Sequence, residues 1–174
     1  MTVYKETIAL QSHGERPTFI NITSSVKESI KKSQIQNGIC TIISPHTTCA
    51  VFFEEFVHDY DKNGDEFLQI DLNNTLKKII PDNTSQGQYN YPGKKHYQAV
   101  EAWPDADSYL PGGDRNALLN CDAHLKATLI GSSQIFDVDS GTLGVGVTGY
   151  IYFVDFDRTR PRTRKCKIII IGDC

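Results

Sequence analysis

Residues 3–10 and 17–22 carry β-branched and aromatic side chains in the alternating pattern of half-buried strands, separated by a polar turn at 12–16, which predicts a hairpin. Ser25 followed by Glu28 has the form of a capping box, Val26 and Ile30 lie one helical turn apart, and Gly38 stands where a helix stop is expected. A short amphipathic helix should follow the hairpin. Residues 38–44 and 47–53 are β-rich runs separated by Pro45, which cannot donate to a ladder and so marks a strand end or bulge beside His46. Leu68, Leu72, Leu76 and Ile79 form an apolar helical stripe over 65–80, with Asp71 near its edge and Pro81 ending it. Leu125 and Leu129 predict a further helix over 122–130, stopped by Gly131, with His124 in its first turn. The remaining runs, 134–138, 145–156 and 165–171, read as strands.

Strands at both ends and helices in the middle predict an α+β fold of mainly antiparallel sheets with a few helices, without the alternation of a doubly wound sheet. At 174 residues with no internal repeat, the chain is expected to form one domain, 1–174. The stretch at about 82–115 lacks clear periodicity and is expected to be an insertion or lid.

Composition narrows the function classes. Eighteen basic against 21 acidic side chains leave a formal charge of −3, which argues against a general nucleic-acid binder, so any anion site must be local. The first residues lack the charged start and apolar run of a secretory signal, and the chain is read as intracellular, cytoplasmic and not membrane-bound. Five scattered cysteines without a C-x-x-C pair suit free thiols better than a disulfide framework or a zinc knuckle. In a chain so placed, the Asn-x-Ser/Thr matches at Asn21, Asn74 and Asn83 are coincidental.

Gly144-Val-Gly146-Val-Thr-Gly149 matches a dinucleotide fingerprint literally, but a strand follows it where that motif needs a helix, so close backbone packing is the better reading. The chemistry-bearing residues are dispersed: His46 through Glu55, Asp71, His96, and Asn120 through Lys126. Histidine and carboxylate together suit a divalent metal or proton transfer near neutral pH. His13 and His58, in polar surroundings, read as surface residues. Arg158, Arg160, Arg162 and Arg164 recur at every second position, and in an extended chain they would present four guanidinium groups on one face, either to an anion or as a solvated basic edge.

These residues, in this order, resemble the YjbQ-like family, whose members are described as uncharacterised proteins or secondary thiamine-phosphate synthases. His46-Thr-Thr-Cys-Ala50 with Glu55 resembles the family's His-Thr-Ser/Thr block, Asp71 its helical aspartate, and Pro81-Asp82-Asn83 its helix end. Ala123-His124-Leu-Lys126 through Gly131 resembles its Ala-His-Ile/Leu-Lys-x-x-x-x-Gly motif, and Gly141 through Gly146 and Pro161-Arg162-Thr-Arg164 complete the series. Gly146-Val-Thr-Gly149 departs from the family's Gly-Thr-Trp-Gln, and the segment 97–119 is longer than in compact members, suggesting a lid or an arm packing on a neighbouring subunit.

The resemblance implies a YjbQ-like β-sandwich that assembles as a homotrimer and binds a divalent metal, zinc or magnesium/manganese, through His46, His96 and His124. It implies Glu55, Asp71 and Lys126 as catalytic or supporting groups, and Arg162, Arg164, Thr47 and Thr48 as the phosphate site. The expected activity is that of a metal-binding, thiamine-phosphate-synthase-like transferase acting on a small phosphorylated metabolite. Two alternatives stand beside it: a non-catalytic trimeric ligand-binding protein and a metal-assisted hydrolase.

Overall fold

The computed structural model describes residues 1–174 as one α+β domain built on two antiparallel sheets. In chain order the elements are β1 (Thr2–Ser12), β2 (Thr18–Asn21), α1 (Thr23–Ser33), β3 (Asn37–Ile43), β4 (Cys49–Glu55), α2 (Phe67–Ile79) and α3 (Lys94–Glu101). They continue with α4 (Cys121–Ile130), β5 (Ser133–Asp139), β6 (Thr142–Leu143), β7 (Gly149–Asp155) and β8 (Arg162–Asp173). The larger sheet has the order β1-β8-β3-β5-β6 and the smaller β2-β7-β4. No helix is long and apolar enough to cross a membrane.

The sheets close on a core of 17 buried residues, including Ile42 of β3, Ile168 and Ile170 of β8, Val51 of β4 and Phe153 of β7, with Val26 and Ile30 of α1. Strand β8 therefore alternates buried and exposed residues, as a sheet with one covered face requires. The smaller sheet is covered on both sides: its far face packs Phe52, Tyr152 and Val154 against Ala123 and Ala127 of α4 and Leu76 of α2. Two covered faces account for the unbroken apolar run from Ile151 to Val154.

Several local expectations change. Strand β1 pairs with β8 over its whole length, from Thr2↔Gly172 to Ser12↔Arg162, whereas β2 pairs with β7, so the first two strands join opposite sheets and form no hairpin. Alternation specifies a half-buried strand, not its partner. Helix α1 starts at Thr23 with no side-chain cap at its Ile22 N-cap, in place of the Ser25 box, and it ends with Gln34 at φ 60°. Gly38 lies inside β3, where a Cβ would come within 2.1 Å of the Ile171 carbonyl oxygen, so this glycine serves sheet packing. The Gly144–Gly149 loop does lead into strand β7, and a Cβ at Gly149 would strike the Phe53 ring at 2.1 Å. Cys40, Cys49, Cys121 and Cys166 are buried free thiols.

Residues 81–120 are not one irregular loop. They contain α3, three 3-10 turns (Ala106–Ser108, Pro111–Gly113 and Arg115–Leu118) and a small cluster of their own, Tyr97, Val100, Leu110 and Leu118. The Lys126 ammonium, fully buried, ties the start of this segment to α4 through Asp82 and Asp122, each at 2.9 Å.

Candidate functional site

Four pieces of chain meet around a cavity of about 500 Å³, within the usual range for small-molecule sites. The floor is the turn after β3, which carries His46, Thr47 and Thr48, together with Arg162 and Arg164 at the start of β8. Pro45 keeps the backbone out of the ladder here, as its sequence position suggested, and β4 resumes only at Cys49. Asn120 and His124, at the N-terminal end of α4, form one side. The outer wall comes from the 81–120 segment, through Tyr91, His96, Trp103 and Tyr109.

Of the four arginines at every second position, only Arg162 and Arg164 share the pocket, because β8 begins at Arg162 and the preceding residues turn. Arg158 instead lies 3.8 Å from Asp82 and from Asp122, and Arg160 donates to the carbonyls of Ser108, Tyr109 and Ala117. Arg164 is gripped from below: Nε donates to Asp155 Oδ2 at 2.7 Å, and Nη2 donates to Asp155 Oδ1 and Thr48 Oγ1, each at 3.0 Å. Such a forked pair fixes the guanidinium plane. Arg162 Nη2 pairs with Asp157 Oδ2 at 2.8 Å, and Asn120 Nδ2 donates to the same oxygen at 2.9 Å. Burial alone would lift the Asp157 carboxyl, but Arg162 with Thr159 and Asn120 outweighs it and holds that carboxyl below the ordinary carboxylate range.

Two polar atoms in this otherwise satisfied network have no partner: Arg162 Nε and Asn120 Oδ1 are both buried and unbonded. Asn120 is only 5% exposed. Both atoms belong to residues that line the cavity, so a side-chain rotation would turn this orphan donor and this orphan acceptor toward a ligand.

The imidazoles differ in commitment. His46 Nε2 accepts the Lys165 backbone N–H at 2.8 Å, and burial, then repulsion from Arg164, lowers its pKa below 6.5. His124 is lowered chiefly by burial, against the pull of Asp157 and a hydrogen bond to the Thr47 backbone. Both are therefore neutral at pH 7; in His46 the lone-pair nitrogen is already taken up by the Lys165 N–H, which leaves Nδ1–H as a donor. His96 Nε2 lies 3.1 Å from Tyr91 Oη, and the Tyr91 ring stands between His96 and His124, its centroid 4.8 and 5.3 Å from theirs.

The structure thus gathers His46, His96, His124, Thr47, Thr48, Arg162 and Arg164 at one cavity. Three other candidates lie elsewhere: Glu55 is exposed at the end of β4, Asp71 is exposed on α2, and Lys126 is enclosed by its two carboxylates. No three His, Cys, Asp or Glu side chains are grouped as a metal-ligand set. With Nε2 of His46 engaged by Lys165 and that of His96 by Tyr91, the residues as arranged do not fit a three-imidazole metal centre. Sequence reasoning placed Asn120 in a chemistry-bearing stretch without giving it a role, and passed over Asp155 and Asp157 as site residues. Asp155-x-Asp157 directly before the arginine run was the available signal, since buried guanidinium groups require carboxylates.

The family model described as UPF0047 protein YjbQ-like matches residues 6–173. A UPF0047 protein of Archaeoglobus fulgidus is 31% identical over 87% of this chain and 89% of its own length. Another, from Methanothermobacter thermautotrophicus, is 27% identical over 99% of this chain and 94% of its own. Among solved structures, an uncharacterized YjbQ/UPF0047 protein of Clostridium acetobutylicum superposes with a TM-score of 0.66 at 27% identity, covering 95% of this chain and 99% of that one. A YbjQ-like protein of unknown function from Sulfolobus solfataricus shares the fold with a TM-score of 0.68 at 24% identity, covering 99% of both chains.

Proposed function

This chain belongs to the YjbQ-like UPF0047 family, and on that footing we propose that its pocket binds a small phosphorylated metabolite, with the phosphoryl group seated at Arg162 and Asn120. The observation carrying this reading is the pair of unpartnered buried atoms, Arg162 Nε and Asn120 Oδ1, on residues that line a cavity floored by two arginines. Arg162 Nε donates to a phosphate oxygen, whereas Asn120 Oδ1 accepts from a hydroxyl or a protonated phosphate oxygen. Thr47, exposed on the same floor, offers a hydroxyl. Thr48 and Arg164 brace the site from below.

Within that class we carry forward the thiamine-phosphate-synthase-like transfer that the family resemblance implies. The thiazole ring nitrogen would form a C–N bond to the pyrimidine methylene carbon as the C–O bond breaks, and the electron pair leaves on pyrophosphate. That step removes no proton from the nucleophile. The chain's part is to hold the two substrates and to receive the growing negative charge at Arg162. The neutral imidazoles of His46 and His124 supply hydrogen bonds beside it. A second reading, binding without turnover, draws on the fact that both carboxylates beneath the pocket, Asp155 and Asp157, are already paired with arginines.

Isothermal titration with pyrophosphate and thiamine monophosphate tests the site. Saturable binding, weakened at least about tenfold in Arg162→Ala, is expected from loss of a charged hydrogen bond. Absence of binding, or an Arg162→Ala variant that binds as well as the parent, overturns it. Incubation with the pyrimidine pyrophosphate and the thiazole phosphate separates the two readings by product formation. A resident zinc, magnesium or manganese ion would require His46 and His96 to release their present hydrogen bonds; stoichiometric metal uptake lost in His124→Ala would restore it to the scheme. The homotrimer implied by the family is part of the proposal, and light scattering should return three chain masses of 19.5 kDa each.

A further inference from the structure

The outer wall of the pocket is aromatic, and a single arginine outside the wall holds it in place. Trp103 and Tyr109 meet edge to face with centroids 5.0 Å apart, and both line the cavity. They remain 43% and 37% exposed, so their faces are not used up in a core. Neither belongs to the small cluster that stabilises the rest of their segment. The stretch that carries them is fastened to the turn before β8 by Arg160: Nη1 donates to the carbonyls of Tyr109 and Ala117 at 3.0 and 3.4 Å, and Nη2 donates to that of Ser108 at 2.6 Å. One of these acceptors is the backbone of Tyr109 itself. A planar guanidinium with fixed donor directions can bridge separate carbonyls, whereas a lysine offers one point charge. Arg160 is two residues from Arg162, so the side chain that positions the wall and the one proposed to seat the anion leave the same short stretch of backbone.

We infer that residues 103–117 form a selectivity wall, with Trp103 and Tyr109 packing against a flat ring in the ligand while its phosphate sits at Arg162, and that Arg160 is the positioning residue that sets this wall. The inference rests on the phosphate reading of the same pocket and adds which side chains recognise the ring of such a ligand, so that an aryl or heteroaryl phosphate is preferred to an aliphatic one. Flat rings stack on exposed aromatic faces with a preference that aliphatic groups do not match. Because the wall is joined to the floor through Arg160, the distance between ring and phosphate becomes a property of the site.

The test compares phenyl phosphate with inorganic phosphate, two probes that share the anion and differ in the ring. The unaltered protein should bind phenyl phosphate about tenfold more tightly than inorganic phosphate, the size expected for one well-placed aromatic contact. Trp103→Ala and Tyr109→Leu should each reduce that ratio by severalfold while leaving inorganic phosphate affinity unchanged. Arg160→Ala should also lower the ratio, and Arg160→Lys should recover part of it. Equal affinity of the parent for both probes overturns the inference while leaving the phosphate site intact, as do variants that weaken both probes alike. If neither probe binds, the phosphate reading falls and the wall falls with it.

Discussion

The sandwich and the 81–120 segment are two regions of one chain held by different physics. The sandwich closes on 17 buried residues, and its β1–β8 ladder runs unbroken from Thr2↔Gly172 to Ser12↔Arg162. The segment buries four apolar side chains in a cluster of its own and otherwise depends on polar ties: Lys126 to Asp82, Arg115 to Glu101 at 2.7 Å, and Arg160 to three carbonyls. Local stability follows apolar contact, so the segment should open at lower free energy than the sheets. The pocket spans both. Its arginine floor belongs to the rigid body and its aromatic wall to the lightly held one, which leaves Arg160 as the tie that keeps the wall in register with the anion seat.

That contrast can be broken at several strengths. Arg164→Ala strands the fully buried Asp155 carboxylate and should destabilise the fold by about 3–5 kcal/mol in urea titration. Ile168→Ala, in the main core, should cost about 2–5 kcal/mol by the same measurement. Leu118→Ala should lower the global midpoint by about half as much or less, because its loss is capped by the opening free energy of the segment. Its clearer mark should be faster amide exchange across 94–118 with protection of β3 and β8 unchanged. Arg115→Ala removes an exposed ion pair and should change stability by about 0–1 kcal/mol.

A further set of effects appears in pH dependence. The pKa values of His46 and His124 are lowered in the fold, so below about 6.5 the unfolded chain takes up protons first and stability falls as pH drops. Glu54 behaves in the opposite sense: burial, then the neighbouring Glu66, raises its pKa to about 7. Between 4.5 and about 7 the unfolded chain releases that proton first, so stability declines as pH rises through this window. Glu54→Gln should therefore raise Tm at pH 8 and leave it unchanged at pH 4. An unchanged Tm at pH 8 would show that Glu54 ionises freely in the fold.

What the sequence disclosed follows the same division. The strand-rich ends were legible because their alternation comes from faces buried in the sandwich. Helices α2 and α4 were located by apolar spacing, although of those side chains Leu76 is buried while Leu68, Ile79, Leu125 and Leu129 are exposed. The convergence of three histidines with Arg162 and Arg164 was reached through the resemblance, since spacing predicts no such meeting. The supposed hairpin failed because alternation is blind to partner choice. Four arginines on one face failed because the chain turns at Pro161 before becoming a strand. Helix α3 escaped notice because in eight residues only Tyr97 and Val100 are buried, too few to show a period. The aromatic wall depends on Arg160 reaching carbonyls more than forty residues away, and backbone acceptors leave no trace in a sequence.

Strand order has a consequence for how the molecule comes into being. Strand β8, the last in the chain, sits between β1 and β3, two of the earliest. Until it is inserted, those two have no partner on their facing edges, and neither the ladder nor the basic floor of the cavity exists. A ribosome must therefore synthesise the chain through residue 173 before the large sheet can zip, leaving two open strand borders on the nascent chain that invite mispairing. Chaperone occupancy during synthesis should fall only when residues 162–173 have emerged.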